Sequence, residues 1–175
     1  MSKTNSSLKN REAKLMQNKL KNTYVLYERE RSTIQGLFWS VKNPKLMEFL
    51  PAQKRRKQWS CQQQSEWIES LLLNIPSPPL YFYEINYNHH ELIDGHQRLF
   101  AIRDFYENNL TLTGITFNPE LNGLTYSKLP ISIARKLDEY RLATIFVTIN
   151  DKLPEEMFLQ IKQQVFERLQ LAWTE

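Results

Sequence analysis

The chain has 175 residues, of which 41% are hydrophobic and 12% aromatic, and its formal net charge is +4. This size and composition favour one globular domain with a substantial core and exclude a disordered or fibrous chain. No apolar run approaches the roughly 18–20 residues of a membrane span, and Met1 to Asn10 is too polar for a secretory signal, so we expect a cytoplasmic protein. Cys61 is the single cysteine, which excludes an internal disulfide and a four-cysteine zinc site.

The charge is unevenly distributed along the chain. Residues 1–59 carry 14 Lys and Arg against 4 Asp and Glu, whereas residues 60–175 carry 9 against 15. The densest basic run could meet nucleic-acid phosphates, although four cations without interleaved aromatic residues also fit a solvated loop. The predicted nucleic-acid-binding residues are therefore Lys54, Arg55, Arg56 and Lys57.

The first half of the chain predicts a basic arm followed by short elements. Residues 1–23 are rich in Lys and Asn and predict a frayed helix or a disordered arm. The stretch from Tyr24 to Tyr27 is predicted to form a short strand, and Ser32 is predicted to be the N-cap of a helix. Leu46 to Leu50 predicts a helical turn between two prolines. Ser60 opens a clear helix over about Gln62 to Asn74.

The second half predicts a hairpin, three helices and two further strands. Leu80 to Ile85 and His90 to Ile93 are aromatic and β-branched, which is typical of a hairpin. The remaining predictions are a strand at Leu110 to Phe117, a turn at Asn122-Gly123, a helix from Pro130 to about Tyr140, a buried strand at Leu142 to Ile149, and a last helix from Pro154 nearly to Glu175. Without a regular βαβ rhythm, this order favours an α+β fold and a single domain over residues 24–175.

The turn between the hairpin and its following helix is the main candidate site. Asp94 is a natural N-cap, and Gly95 lets the backbone come close to a neighbour. Unpaired N–H groups at such a helix start suit a phosphate. Arg98 lies on the inner stripe of the helix, so its guanidinium should be held near the turn. Capping alone explains an Asp-Gly pair equally well.

Several motifs, taken together in this order, resemble one known family. Arg55 and Trp59 keep an arginine-to-tryptophan spacing of four, and Ile68-Glu69-Ser70 leads to Ile75-Pro76. Asp94, Gly95, Gln97 and Arg98 then match an Asp-Gly-Gln-Gln-Arg motif, and the run Phe166-Glu167-Arg168-Leu169 matches a later one. Over about residues 30 to 170 the chain resembles the N-terminal domain family of GmrSD-type modification-dependent restriction endonucleases, which implies a ParB/sulfiredoxin-like fold.

The chain departs from the family pattern at several positions. His96 and Lys54 stand where the family has glutamine, and Gln170 stands where it has asparagine. The chain also ends at Glu175, so we expect a domain shortened at its C-terminus. No stretch resembles the His-Asn-His nuclease domain of a full-length restriction enzyme.

The resemblance implies a domain that binds, and in an active member hydrolyses, a nucleoside triphosphate with Mg²⁺ to control DNA cleavage by a His-Asn-His nuclease domain or subunit. Phosphoryl transfer needs charge neutralisation and a positioned water. Arg98 could hold phosphate oxygens together with N–H groups after Gly95, and Arg55 could be a second contact. Asp94 could bind Mg²⁺ or serve as a cap, while His96 or Gln97 could orient or activate water.

Two other interpretations stay open at the level of sequence. The chain could be a non-enzymatic DNA-binding or partner-binding module that uses its basic front third, or an inactive, truncated family member. Trp59 is interpreted as a core residue or a contact at the helix entrance, in preference to a platform for base stacking.

Overall fold

Five strands form one mixed sheet in the part of the chain that the structure, a computed structural model, describes: residues 24–49, 59–150 and 153–171. The strands are β1 (Val25–Thr33), β2 (Met47–Glu48), β3 (Leu80–Asn86), β4 (His89–Asp94) and β5 (Arg141–Ile149). Their spatial order is β1-β5-β3-β4-β2, with β1 antiparallel to β5, β5 parallel to β3, β3 antiparallel to β4, and β4 parallel to β2.

Five α-helices accompany this sheet within the described residues, which confirms the predicted α+β class. They are α1 (Ile34–Lys42), α2 (Cys61–Leu72), α3 (His96–Tyr106), α4 (Ile131–Glu139) and α5 (Glu155–Leu171). The Ser60 side chain caps α2, and Gln63 returns a bond to the Ser60 N–H, so both members of a capping box are present. None of the described helices is long and apolar enough to cross a membrane.

The two faces of the sheet carry separate hydrophobic clusters, because successive side chains of a strand point to opposite faces. Phe82 and Leu92 face the larger cluster, to which helices α1, α2, α3 and α4 contribute. Tyr83 and Ile93, one position along in each strand, face a smaller cluster. Helix α5 covers that second face through Phe158, Ile161, Val165, Phe166 and Leu169. The sheet is therefore the middle layer of three.

Three predictions near the start of the domain are wrong: the end of the first strand, the cap of the first helix and a helical turn. The strand predicted at Tyr24 to Tyr27 continues to Thr33, because all nine of its residues pair with β5, and Thr33 rather than Ser32 caps α1. The region of the predicted turn at Leu46 to Leu50 contains strand β2, and residue 50 lies outside the described residues. The His90 N–H donates to the Leu46 carbonyl at 2.9 Å, so pairing with β4 outweighs the local helical pattern.

The strand predicted at Leu110 to Phe117 is also wrong, since this stretch is an irregular loop. Leu110 and Leu112 alternate with exposed residues and are buried in the larger cluster, to which Ile115, three positions further on, also belongs. Side chains satisfy part of its backbone: the Thr113 N–H, for example, donates to Ser65 Oγ at 3.1 Å. The alternating sequence pattern therefore indicates which side chains are buried, but it does not indicate that this stretch pairs with a neighbouring strand.

The other predicted elements are confirmed with small shifts at their ends. These are the hairpin, the helices that become α2, α3 and α4, the strand β5, the last helix, and the turn at Asn122-Gly123, where Gly123 has a φ of 83°. The predicted basic arm at residues 1–23 lies outside the described residues, and so do Asp151 and residues 172–175.

Candidate functional site

The turn between β4 and α3 brings together the residues of the Asp-Gly-His-Gln-Arg motif. Gly95 is the N-cap of α3 with a φ of 103°, a left-handed conformation that L side chains rarely adopt. The N-cap is thus Gly95 and not Asp94, so the predicted capping role of Asp94 is wrong, and no side chain of the described residues makes a capping bond to this helix. Asp94 Oδ2 instead accepts a bond from Arg98 Nη2 at 3.2 Å. A charged donor one helical turn away thus occupies the carboxylate.

Gly95 permits a close approach, as predicted, but the approaching atoms belong to the protein itself. A Cβ at this position would collide with Leu80 Cδ2 and lie 3.1 Å from Arg98 Nη2. The start of α3 is therefore covered on that side by the Leu80 side chain and by the guanidinium.

Arg98 is held at the helix entrance by a set of oxygen atoms that we call the Arg98 cage. The residue is 9% exposed. Nη1 donates to Ser77 Oγ at 3.1 Å and to the Pro78 carbonyl, and Nη2 donates to the Pro79 carbonyl at 3.2 Å as well as to Asp94. Burial lowers the pKa of the guanidinium, while Asp94 opposes that shift. The cage therefore fixes the segment that enters β3 to the start of α3.

A cavity of about 370 Å³ opens beside the Arg98 cage. The motif contributes Asp94 and Arg98, and the opposite elements contribute the rings of Trp59 and Trp67, whose centroids lie 6.4 Å apart in an edge-on arrangement. The remaining lining residues are Ser70, Ile75, Pro76, Ser77 and Pro78. An ion pair and two indole rings thus share one small cavity.

Trp59 is therefore a wall of this cavity and not simply a core residue. Its backbone N–H donates to Gln97 Oε1 at 3.0 Å, and its backbone carbonyl accepts from Gln64 Nε2 at 3.2 Å. Gln97 Nε2 lies 3.3 Å from His96 Nε2, and the buried His96 ring meets Phe100 edge-on at 6.1 Å. Neither His96 nor Gln97 belongs to the lining of the cavity.

The sequence interpretation did not identify Trp67 as a wall residue. The only signal for it is that Trp67 flanks the stripe formed by Ile68, Leu71 and Leu72, so that its ring is available to a neighbouring surface. Its indole Nε1 is shielded from solvent and has no hydrogen-bond partner among the described residues. The contribution of Ser77 and Pro78 depends on the path of the chain and leaves no comparable signal.

Glu69, the middle residue of the Ile-Glu-Ser motif, is buried away from this cavity. Its Oε1 accepts from the backbone N–H groups of Phe117 and Asn118 at 2.9 and 2.8 Å, and Oε2 accepts from Thr116 at 3.4 Å. The carboxylate therefore anchors the irregular loop that follows α3. We call the backbone N–H groups of Thr116, Phe117 and Asn118 that bind this carboxylate the Glu69 nest.

The donors available for a metal ion are few. The described residues contain no group of three or more His, Cys, Asp or Glu side chains that could hold one. Asp94 is the predicted ligand, and its carboxylate is shared with Arg98. The predicted phosphate-binding and nucleic-acid-binding residues Lys54, Arg55, Arg56 and Lys57 lie outside the described residues, so their roles stay predictions.

Comparison with known proteins identifies the family. No curated protein and no solved structure matches the chain, so the ParB/sulfiredoxin-like assignment stays a prediction. The family model for the N-terminal domain of GmrSD restriction endonuclease matches residues 34–172. That range contains all the motif residues described above, from Arg55 to Leu169, and it covers most of the chain. The protein therefore belongs to the GmrSD restriction endonuclease N-terminal domain family.

Proposed function

We propose that this domain binds a nucleoside triphosphate and regulates DNA cleavage in a modification-dependent restriction system that defends against phage. A His-Asn-His nuclease domain or subunit would carry out the cleavage. Family membership supports the restriction role. The observation that carries the nucleotide proposal is the cavity in which Arg98 and Asp94 lie together with Trp59 and Trp67.

The chemistry of the lining suits the two halves of a nucleotide. Indole rings offer flat apolar surfaces on which any base can stack. A guanidinium is a donor for phosphate oxygens and keeps its positive charge at neutral pH. The volume of about 370 Å³ falls within the range of roughly 300–1,000 Å³ that small-molecule sites occupy.

Arg98 supplies a fixed positive charge more than a mobile clamp, because its cage already accepts several of its hydrogen bonds. A triphosphate therefore needs further cations. Arg55, four residues before Trp59 in the sequence, is the predicted second contact. Asp94 would hold a Mg²⁺ ion that arrives with the triphosphate, where it neutralises phosphate charge.

Hydrolysis is a further part of the proposal. It requires a water that is oriented toward the terminal phosphorus atom. The motif suggests His96 or Gln97 for this task, and we assign it to His96, because Gln97 Oε1 already accepts the Trp59 backbone N–H at 3.0 Å. Both His96 and Gln97 belong to the turn that bears Asp94 and Arg98, although they lie behind the lining of the cavity.

Nucleotide binding and phosphate release test the proposal directly. The four common ribonucleoside triphosphates are titrated with Mg²⁺ into the wild type, Trp59→Ala and Arg98→Ala, with circular dichroism as the control for folding. Trp39→Ala is the matched control, since Trp39 is 62% exposed on α1 and does not line the cavity. We expect binding by the wild type and Trp39→Ala and loss in the other two variants. Equal background signals in all four proteins would contradict nucleotide binding.

DNA binding by the basic run at Lys54 to Lys57 is a second candidate, favoured by the charge of the front third of the chain. Binding led by phosphate contacts weakens steeply as salt rises. A gel-shift series at increasing salt tests this function. The comparison is a variant in which Lys54, Arg55, Arg56 and Lys57 are all replaced by Gln. DNA binding that does not weaken as the salt concentration rises, or equal DNA binding by the wild type and the variant, would contradict this function.

A further inference from the structure

Two glutamine side chains hold the backbone of Trp59 from opposite sides. Gln97, from α3, accepts the Trp59 N–H at 3.0 Å. Gln64, from α2, donates to the Trp59 carbonyl at 3.2 Å. Both contacts are partly buried, so water competes for them less than at an open surface. The peptide groups on both sides of this tryptophan are thereby fixed to two different helices.

The position of Gln97 argues against direct contact with a ligand in the cavity. Trp59 lines the cavity and Gln97 does not. The carboxamide oxygen of Gln97 is used by the Trp59 N–H, and its nitrogen lies 3.3 Å from His96 Nε2. A side chain engaged at both ends is poorly placed to orient a water on a phosphate.

We propose that Gln97 is a positioning residue of the site, which holds the Trp59 ring in the wall of the cavity through the Trp59 backbone. The inference depends on the proposed function for its consequence, which is an effect on nucleotide affinity. It assigns to the second glutamine of the family motif a task that differs from activating water. Gln64 performs the same task from the other side.

Substitutions that remove or keep the acceptor separate these roles. Gln97→Met keeps the length of the side chain and removes the acceptor, whereas Gln97→Glu keeps an acceptor oxygen. A hydrogen bond of this kind corresponds to about a fivefold change in an equilibrium constant. We therefore expect Gln97→Met to weaken nucleotide binding about fivefold and Gln97→Glu to retain it. Gln163→Met, the same change on the exposed surface of α5, is the control.

The experiment measures three quantities on each variant. The first is nucleotide affinity, combined with Trp59→Ala in a double-mutant cycle. The second is turnover at saturating nucleotide. The third is the fluorescence contribution of Trp59 without nucleotide, taken as the difference between each protein and its Trp59→Phe counterpart, together with its quenching by acrylamide.

We expect Gln97→Met to weaken affinity, to lose that effect when Trp59 is already alanine, to leave saturated turnover unchanged, and to increase quenching of Trp59. Reduced saturated turnover with unchanged affinity would overturn the inference in favour of a role on water. The inference would also be overturned if the effects of Gln97→Met and Trp59→Ala on nucleotide affinity were additive. If the wild type binds no nucleotide, the proposed function fails, but the fluorescence comparison still decides: unchanged Trp59 quenching overturns the positioning role, and increased quenching supports it.

Discussion

The Glu69 nest and the Arg98 cage both stabilise a buried charged side chain, but backbone N–H groups bind the negative charge of Glu69 and backbone carbonyls bind the positive charge of Arg98. Each holds a buried charge that belongs to a family motif, and each compensates it largely with backbone groups. Glu69 accepts bonds from three consecutive backbone N–H groups at residues 116–118. Arg98 donates to the carbonyls of Pro78 and Pro79 and to the Asp94 carboxylate.

The difference lies in what surrounds each charge. The residues that bind Glu69 belong to a loop outside the cavity, whereas Arg98 and its partners Ser77, Pro78 and Asp94 all line it. A buried motif residue can therefore hold the fold together without lining the cavity. We infer that Glu69 acts through stability, and that Arg98 acts through stability and through the chemistry of the site.

The largest expected effect is that of Arg98→Ala on stability. The substitution leaves two carbonyls and the Asp94 carboxylate without their donor, and breaking such a buried charge site lowers the free energy of unfolding by about 3–5 kcal/mol. Urea unfolding of the wild type and the variant measures it. Arg98→Lys keeps the charge but loses the planar fork, so it should lie between the two. A loss below about 1 kcal/mol in the alanine variant would show that the cage contributes little.

Glu69→Gln should have a smaller effect that stays separate from the cavity. An uncharged amide accepts the loop N–H groups more weakly, so we expect a loss of about 2 kcal/mol. Hydrogen exchange should accelerate at the amides of Thr116, Phe117 and Asn118. Glu66→Gln is the control, because Glu66 is exposed on the same helix and binds an exposed glutamine. Unchanged exchange at those three amides would refute the anchoring role.

Gly95→Ala tests how closely the motif turn is packed. The new Cβ would need a left-handed φ and would collide with Leu80, so we expect a loss of about 2 kcal/mol or more. Gly123→Ala is a matched control with a φ of 83° and no atom within 4 Å of the new Cβ. Its loss should be about 1 kcal/mol, from the backbone alone. Thermal unfolding compares the two variants, and equal losses would show that Leu80 yields to the new side chain.

The smallest effect concerns Asp138, a third carboxylate whose donors are side chains rather than backbone groups. Tyr106 and Tyr126 donate to its Oδ1 at 2.6 and 2.8 Å. Burial, together with Asp138, raises the pKa of Tyr126 from 10.0 to about 12. Because the unfolded chain ionises first, this stabilisation is complete below pH 10 and is lost as the pH rises toward 12.

Tyr126→Phe should therefore reduce the decline in stability between pH 10 and pH 12. At pH 7 it should lower the free energy of unfolding by about 1 kcal/mol through the lost hydrogen bond. Urea unfolding over this pH range gives both values. Tyr140→Phe is the comparison, since the Tyr140 hydroxyl makes an exposed bond to the Ile75 carbonyl. A decline equally steep in wild type and Tyr126→Phe would assign the pH dependence to other groups.

The sequence predicted the elements whose hydrophobic period matches their burial. The hairpin, α2 and β5 follow from apolar spacing and turn residues, because local preference and tertiary packing agree there. The loop at 110–117 could not be predicted in this way, since an alternating pattern cannot distinguish a paired strand from a loop anchored by Glu69. Strand β2 was missed because its pairing partner, β4, is distant in sequence.

The sequence predicted the position of Arg98 but not most of the residues that surround it in the cavity. Spacing placed Arg98 at the start of α3, and the structure holds it there. No local pattern showed that prolines 78 and 79 would bind the guanidinium, or that Gln97 would reach Trp59, because these contacts join residues 19 to 38 positions apart. Asp94 does not serve as the predicted cap because the Arg98 guanidinium, four residues later, competes for its carboxylate.

The most direct test of the comparison is nucleotide titration of wild type, Glu69→Gln and Arg98→Lys under conditions in which all three are folded. We expect Glu69→Gln to bind within about twofold of the wild type and Arg98→Lys to bind at least about tenfold more weakly. Equal affinity of wild type and Arg98→Lys, or an equal loss in both variants, would contradict the account that Arg98 belongs to the ligand site and Glu69 only to the scaffold.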